Sequence, residues 1–207
     1  MIKNYLEQLR VQRWDDHRFY HHSRINQSLH LISALSFLVA YVFLFVDPVV
    51  CAFFGWVVSM TTRQAGHFFF EPLGFDEIND ATQEHKEAIK VGYNLRRKIV
   101  LLSSWAVTTA LPWLSPTLFG LYPPYVGAYG YAHHVAVLWI GLGAFALALR
   151  TAYLCATVDV RHGLVWFTKI LTDPFHDISI YYKAPYRLLK GELLDPMTDW
   201  PEPMRRV

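Results

Sequence analysis

LHLISALSFLVAYVFLFV (residues 29–46) and, after Asp47-Pro48, VVCAFFGWVVSMTTRQAGHFFF (49–70) carry a single charged side chain, Arg63. Crossing the hydrocarbon core of a bilayer takes about 20 apolar residues in a helix. The first run therefore reads as one span and the second as another. Asp47-Pro48 forms the break between them, because proline disfavours helix at the residue before it. Working outward, a third apolar run extends from Ile99 to Leu121, with Pro112 and Pro116 placed to kink or end it. Tyr122 to Gly130 is an uncharged turn, and a fourth run covers about 131–158, with Arg150 late in it. The pattern predicts an all-α integral membrane bundle of about four transmembrane helices (29–46, 49–70, 99–121, 131–158) as one unit over 1–158. An interfacial tail follows over 159–207.

Composition agrees. Of 207 residues, 53% are apolar and 17% charged, against about 25% charged in a typical soluble domain. Aromatics at 16% exclude the disordered classes. A net charge of +2, with no basic run interleaved with aromatics, excludes a nucleic-acid surface. Cys51 and Cys155 lack metal-ligand spacing and read as reduced packing residues. Lysine and arginine gather in the amino-terminal arm, in the loop 71–98 and in the tail, and are missing around Asp47 and Pro123. The positive-inside rule then places both termini and the middle loop in the cytoplasm. The first 28 residues lack an apolar core segment, so no cleavable signal peptide is expected.

Ten histidines are the unusual count. On this topology His17, His21, His22 and His30 lie at the cytoplasmic entrance of the first span and His67 at the cytoplasmic end of the second. His162 and His176 follow the fourth. His22, Asn26 and His30 are spaced i, i+4, i+8, and Gln64, His67 and Glu71 are spaced i, i+3, i+7. Each set shares a helix face. Asp159 and His162 are spaced i, i+3, and Gly66 permits close helix approach. Ionisable residues inside a span are costly and mark function. Convergence of His22, His30 and His67 at one depth suits a divalent transition metal, iron or zinc especially. His162 and His176 are further ligand candidates, and Asn26, Gln64, Asp159 and Asp173 are candidates for orienting the imidazoles. His17, His85 and the pair His133-His134 read as interface residues. Asp173-Pro174 reads as a turn or helix start, and residues 181–187 as a headgroup-level segment.

The motif Phe19-Tyr20-His21-His22-x-x-x-Asn26-x-x-x-His30, followed by Gly55-Trp56 and Gln64-x-Gly66-His67-x-x-Phe70-Glu71, resembles the yeast 2-hydroxy-palmitic acid dioxygenase family of small membrane proteins. The likeness covers roughly residues 19–72. It implies a ferrous iron centre and oxidative one-carbon shortening of a 2-hydroxy fatty acid. By the same resemblance His22, His30 and His67 are iron ligands or catalytic residues, and Asn26, Gln64 and Glu71 are support or an additional ligand. The expected partners are a lipid or fatty-acid substrate, dioxygen and the membrane. Arg24, Arg63 and Arg161 are placed at the cytoplasmic rim to meet a substrate carboxylate. Three other readings stand beside this one: a di-iron lipid hydroxylase or desaturase, a haem-binding electron carrier using His30 and His67, and a structural or lipid-binding membrane protein.

Overall fold

A computed structural model describes residues 2–77, 79–89 and 95–197. Lys90 in the middle loop and the tail beyond 197, with Arg205 and Arg206, lie outside the described residues. The described chain is helical, with two isolated β-bridges and no strand.

Helix α1 (Ile2–Tyr20) is polar and carries none of the predicted spans. A three-residue joint, His21-His22-Ser23, separates it from α2 (Arg24–Phe43). Ser23 is the N-cap of α2, its hydroxyl accepting from the amide of Asn26. Asp47 caps the next helix, accepting from the amides of Val49 (2.8 Å) and Val50 (3.2 Å), with Pro48 at the first helical position. From there one continuous rod runs over 48–69. It consists of α3 (Pro48–Ala52), a π-helical segment (Phe53–Met60) and α4 (Thr61–Phe69). Small residues let the rod lie against α2: a Cβ on Gly55 would touch that of Ala40, and Ser33 and Ser59 share a buried 2.7 Å hydrogen bond.

The loop after α4 folds over the end of α1. Lys86, at the centre of α5 (Gln83–Ile89), is buried and donates to the Pro72 carbonyl, while Tyr20 donates to the Lys86 carbonyl at 2.6 Å. Helix α6 (Leu95–Leu114) tolerates Pro112 and ends before Pro116. Helix α7 (Gly127–Thr157) follows the Pro/Gly/Tyr turn. Trp56, Trp105 and Trp139 meet between the rod, α6 and α7, with ring centroids 5.0–6.4 Å apart.

The tail differs from expectation. Where Asp173-Pro174 suggests a break, a single helix α8 (Val160–Tyr181) runs through it. Proline in a helix costs one backbone hydrogen bond. Here Asp173 is held in place by Arg13 (3.2 Å) and Lys169 (3.4 Å), so the helix has a reason to persist. Helix α8 folds back along α7, α2 and α1. Its crossing with α7 is close at Gly163, where a Cβ would lie 2.3 Å from Cys155 Sγ. A short α9 (Ala184–Leu189) follows. The chain then pairs with the α1–α2 joint, Arg24 N donating to Leu193 O (2.9 Å) and Asp195 N to His22 O (2.7 Å).

Among the described residues, two helices are long and apolar enough to cross a membrane, α2 and α7.

Candidate metal centre

Three imidazoles meet where α2, α4 and the α1–α2 joint come together. His21 comes from the joint, His30 from the second turn of α2 and His67 from the end of α4. One ring nitrogen from each lies within 4.8 Å of the others. His21 and His30 are buried and His67 is partly so.

What stands behind two of the rings fixes their orientation. His21 Nδ1 donates to the Asp16 carbonyl at 2.9 Å, which leaves Nε2 to present a lone pair. His67 Nδ1 donates to Glu71 Oε2 at 2.7 Å. His30 turns Nε2 to within 3.2 Å of His21 Nε2. Nitrogens held about 2.05 Å from one ion stand about 2.9 Å apart at a right angle and about 3.3 Å apart at the tetrahedral angle. The His21–His30 separation falls between these values. His67 has to close by up to about 1.5 Å to join them at the tetrahedral spacing. Neutral imidazoles backed by a carbonyl or carboxylate are the usual donor set of a divalent transition metal. This trio can hold a metal ion. With three protein donors it leaves further coordination positions open, as a catalytic site requires.

Electrostatics favour the neutral, metal-ready form. Burial pushes His21 down to about 3, with Asp16 opposing, and pushes His17 well below its ordinary value. Tyr181 of α8, fully buried, packs its ring against His21 and His30 (centroids 5.9 and 6.3 Å) and shares a 2.8 Å hydrogen bond with His17 Nδ1.

Close approach of α4 to α2 depends on Gly66. A Cβ there would fall 2.1 Å from Asn26 Oδ1 and 3.4 Å from His30 Cδ2. Asn26 donates through Nδ2 to the Tyr20 carbonyl (2.8 Å), steadying the joint that bears His21. Gln27 does the same from the other side, donating to the His21 carbonyl at 2.8 Å.

No protein-family model, curated protein or solved structure matches the chain.

The structure brings together His30 and His67 from the expected trio, and the third imidazole beside them is His21. His22 points elsewhere: its Nε2 lies 3.0 Å from Asp76 Oδ2, and Asn79 donates to the same oxygen at 2.9 Å. The spacing from His22 to Asn26 and His30 counted helical phase through the joint. Since α2 begins at Arg24, His22 has no place on its face. Glu71 backs His67 rather than standing among the ring nitrogens. Gln64 Nε2 reaches Met60 Sδ, and its Oε1 is buried without a hydrogen bond.

His162 and Asp159 sit at the far end of α8, about 22 and about 27 Å along the helix from Asp177. Asp159 caps that helix and His162 Nδ1 accepts from Gln8. His176 and Asp173 line a small cavity on the α1 side of α8 with Arg13, His17 and Lys169. Of the three arginines, Arg24 is committed to Asp195 (2.8 Å) and Arg161 is exposed at the start of α8. Arg63 alone is held near the imidazoles, through Asp177 at 2.7 Å. Asp177 itself went unread in the sequence, because its position depends on α8 folding back.

Proposed function

We propose that this chain is a membrane-embedded, Fe(II)-dependent oxygenase that shortens a 2-hydroxy fatty acid by one carbon. The observation that carries the reading is the meeting of His21, His30 and His67, one ring nitrogen of each within 4.8 Å of the others, with coordination positions to spare. Such a set suits iron chemistry that must also admit substrate and dioxygen. In this proposal the bundle has four spans with both termini cytoplasmic. Apolar side chains left bare on the rod, α6 and α7, among them Phe53, Val107, Trp113, Phe145 and Leu149, suit a lipid surrounding.

Bound ferrous iron supplies dioxygen activation. The chain's own residues do the rest. The three imidazoles fix the ion's position, while Asp16, through its carbonyl, and Glu71 keep the rings aimed. Arg63, one helical turn before His67, offers a guanidinium to the substrate carboxylate at the rim. The balance needs no external electron donor: a 2-hydroxy acid and one O2 yield the shorter acid, CO2 and water.

The arrangement favours this over a haem carrier, whose two axial imidazoles face each other across a macrocycle. Here the rings of His30 and His67 meet edge to face at 4.9 Å, with His21 on the same side. Among the described residues a single metal-holding group is found, which favours one ion over a di-iron pair.

The test is oxygen uptake by detergent-purified protein loaded anaerobically with Fe2+, given 2-hydroxypalmitate or palmitate. The expected result is uptake with the hydroxy acid alone, matched by CO2 release. Tight zinc in place of iron, or no uptake with either acid, overturns the proposal.

A further inference from the structure

Each imidazole of the centre has a second nitrogen, and the three are treated unequally. His21 Nδ1 is bonded to a carbonyl and His67 Nδ1 to a carboxylate. His30 Nδ1 is buried and makes no hydrogen bond. The oxygen facing it is Asp177 Oδ2, at 3.9 Å, just beyond bonding distance. That oxygen meanwhile accepts from Arg63 Nη2 at 2.7 Å. Asp177 is therefore shared between a cation on α4 and an imidazole on α2, and leans toward the cation.

A metal-bound imidazole is a better proton donor at its far nitrogen, and such rings almost always give that proton to a carboxylate or carbonyl. A small rotation of the Asp177 side chain supplies the acceptor that His30 lacks. We infer that Asp177 is the positioning residue for His30: once a metal is bound, its carboxylate accepts the Nδ1 proton and completes the backing of the third ring. Resting on the metal-centre reading above, this makes α8 a working part of the site. Arg63 holds the carboxylate in reserve, and one turn of α4 links it to His67.

The test is Co2+ titration of the metal-stripped full chain in detergent, reading affinity and the visible bands of the bound ion. Asp177→Asn is expected to weaken Co2+ binding by roughly ten- to hundredfold and to shift the bands. Arg63→Gln, which breaks the same ion pair but keeps the carboxylate, is expected to stay within about threefold of wild type, since partners of this kind act on the ligand they touch. Equal losses in the two variants would mean that the ion pair merely holds the helices together, and would overturn the inference. So would unchanged affinity in Asp177→Asn. Should that variant not fold, Asp177→Glu keeps the charge for Arg63 and displaces the acceptor from His30. Shifted bands in it support the assignment and unchanged bands and affinity overturn it. Failure of the wild-type chain to bind Co2+ would instead remove the centre itself.

Discussion

Two His-His pairs lie in this chain, and they have different surroundings. His21-His22 sits at the start of α2. His133-His134 sits near the start of α7, the helix whose Tyr129 bonds Asp47 beyond the far end of α2. At the first pair each ring is claimed by different partners, His21 by the imidazoles of His30 and His67 and His22 by Asp76. At the second, His134 Nε2 donates to the Pro123 carbonyl (3.2 Å), and both rings pack against Tyr122. His134 therefore spends on the backbone the nitrogen that His21 presents to its neighbours. The dipeptide is the same; the acceptor behind each ring decides whether a lone pair faces a common point.

The largest effect should come from asking which pair matters for metal. Replacing His21, His30 or His67 by alanine should lower Co2+ affinity by more than about a hundredfold, because two remaining donors make a poor site. The double variant His133→Ala/His134→Ala should bind like wild type. Metal analysis after gel filtration reads both, and parity between the two sets would erase the contrast.

A smaller effect sharpens what the α2 end requires. Gly66→Ala puts a methyl group on Asn26 Oδ1, so α4 has to shift and carry His67 with it. About a tenfold loss of Co2+ affinity is expected, in the range found when groups that orient ligands are disturbed. Adding Asn26→Ala removes the clash and should restore most of that loss, which is coupling between touching residues. A double variant as weak as Gly66→Ala alone would show that glycine matters there for another reason.

The smallest effect is on acid stability. Burial, with Arg13 adding to it, pushes His176 down to about 4, whereas the unfolded chain binds that proton near 6.5. The unfolded state therefore takes up more protons at low pH. Stability from this group is full above about 6.5 and drains away as pH falls toward 4. Thermal unfolding in detergent across that window should decline less steeply in His176→Gln than in wild type. Equal slopes would mean that the group titrates normally in the fold.

Much of this was legible. Apolar runs over 29–46 and 49–70 marked helices, and Arg63, His30 and His67 stood out as polar groups inside them. His21 was hidden because its role comes from a joint, where helical spacing carries no meaning. Ser23 was the available clue: a serine three residues before the amide it caps marks where α2 begins. Asp177 was hidden for another reason. Its partners Arg63 and His30 lie 114 and 147 positions away, and nothing local foretells that α8 doubles back, least of all Pro174.

The π-helical segment Phe53–Met60 has a consequence for how the rod can vary in length. Its wider turns advance each residue through a smaller angle than α-helical turns do. Whatever lies beyond it is set at a particular rotation about the rod axis. Losing one residue between 53 and 60 turns those wide turns into α-helical ones, each amide meeting the same carbonyl four residues back instead of five, and keeps Arg63, Gly66 and His67 near the face that meets α2. A chain one residue shorter there keeps the centre, whereas one that loses a residue between Thr61 and Arg63 turns Gly66 and His67 off that face.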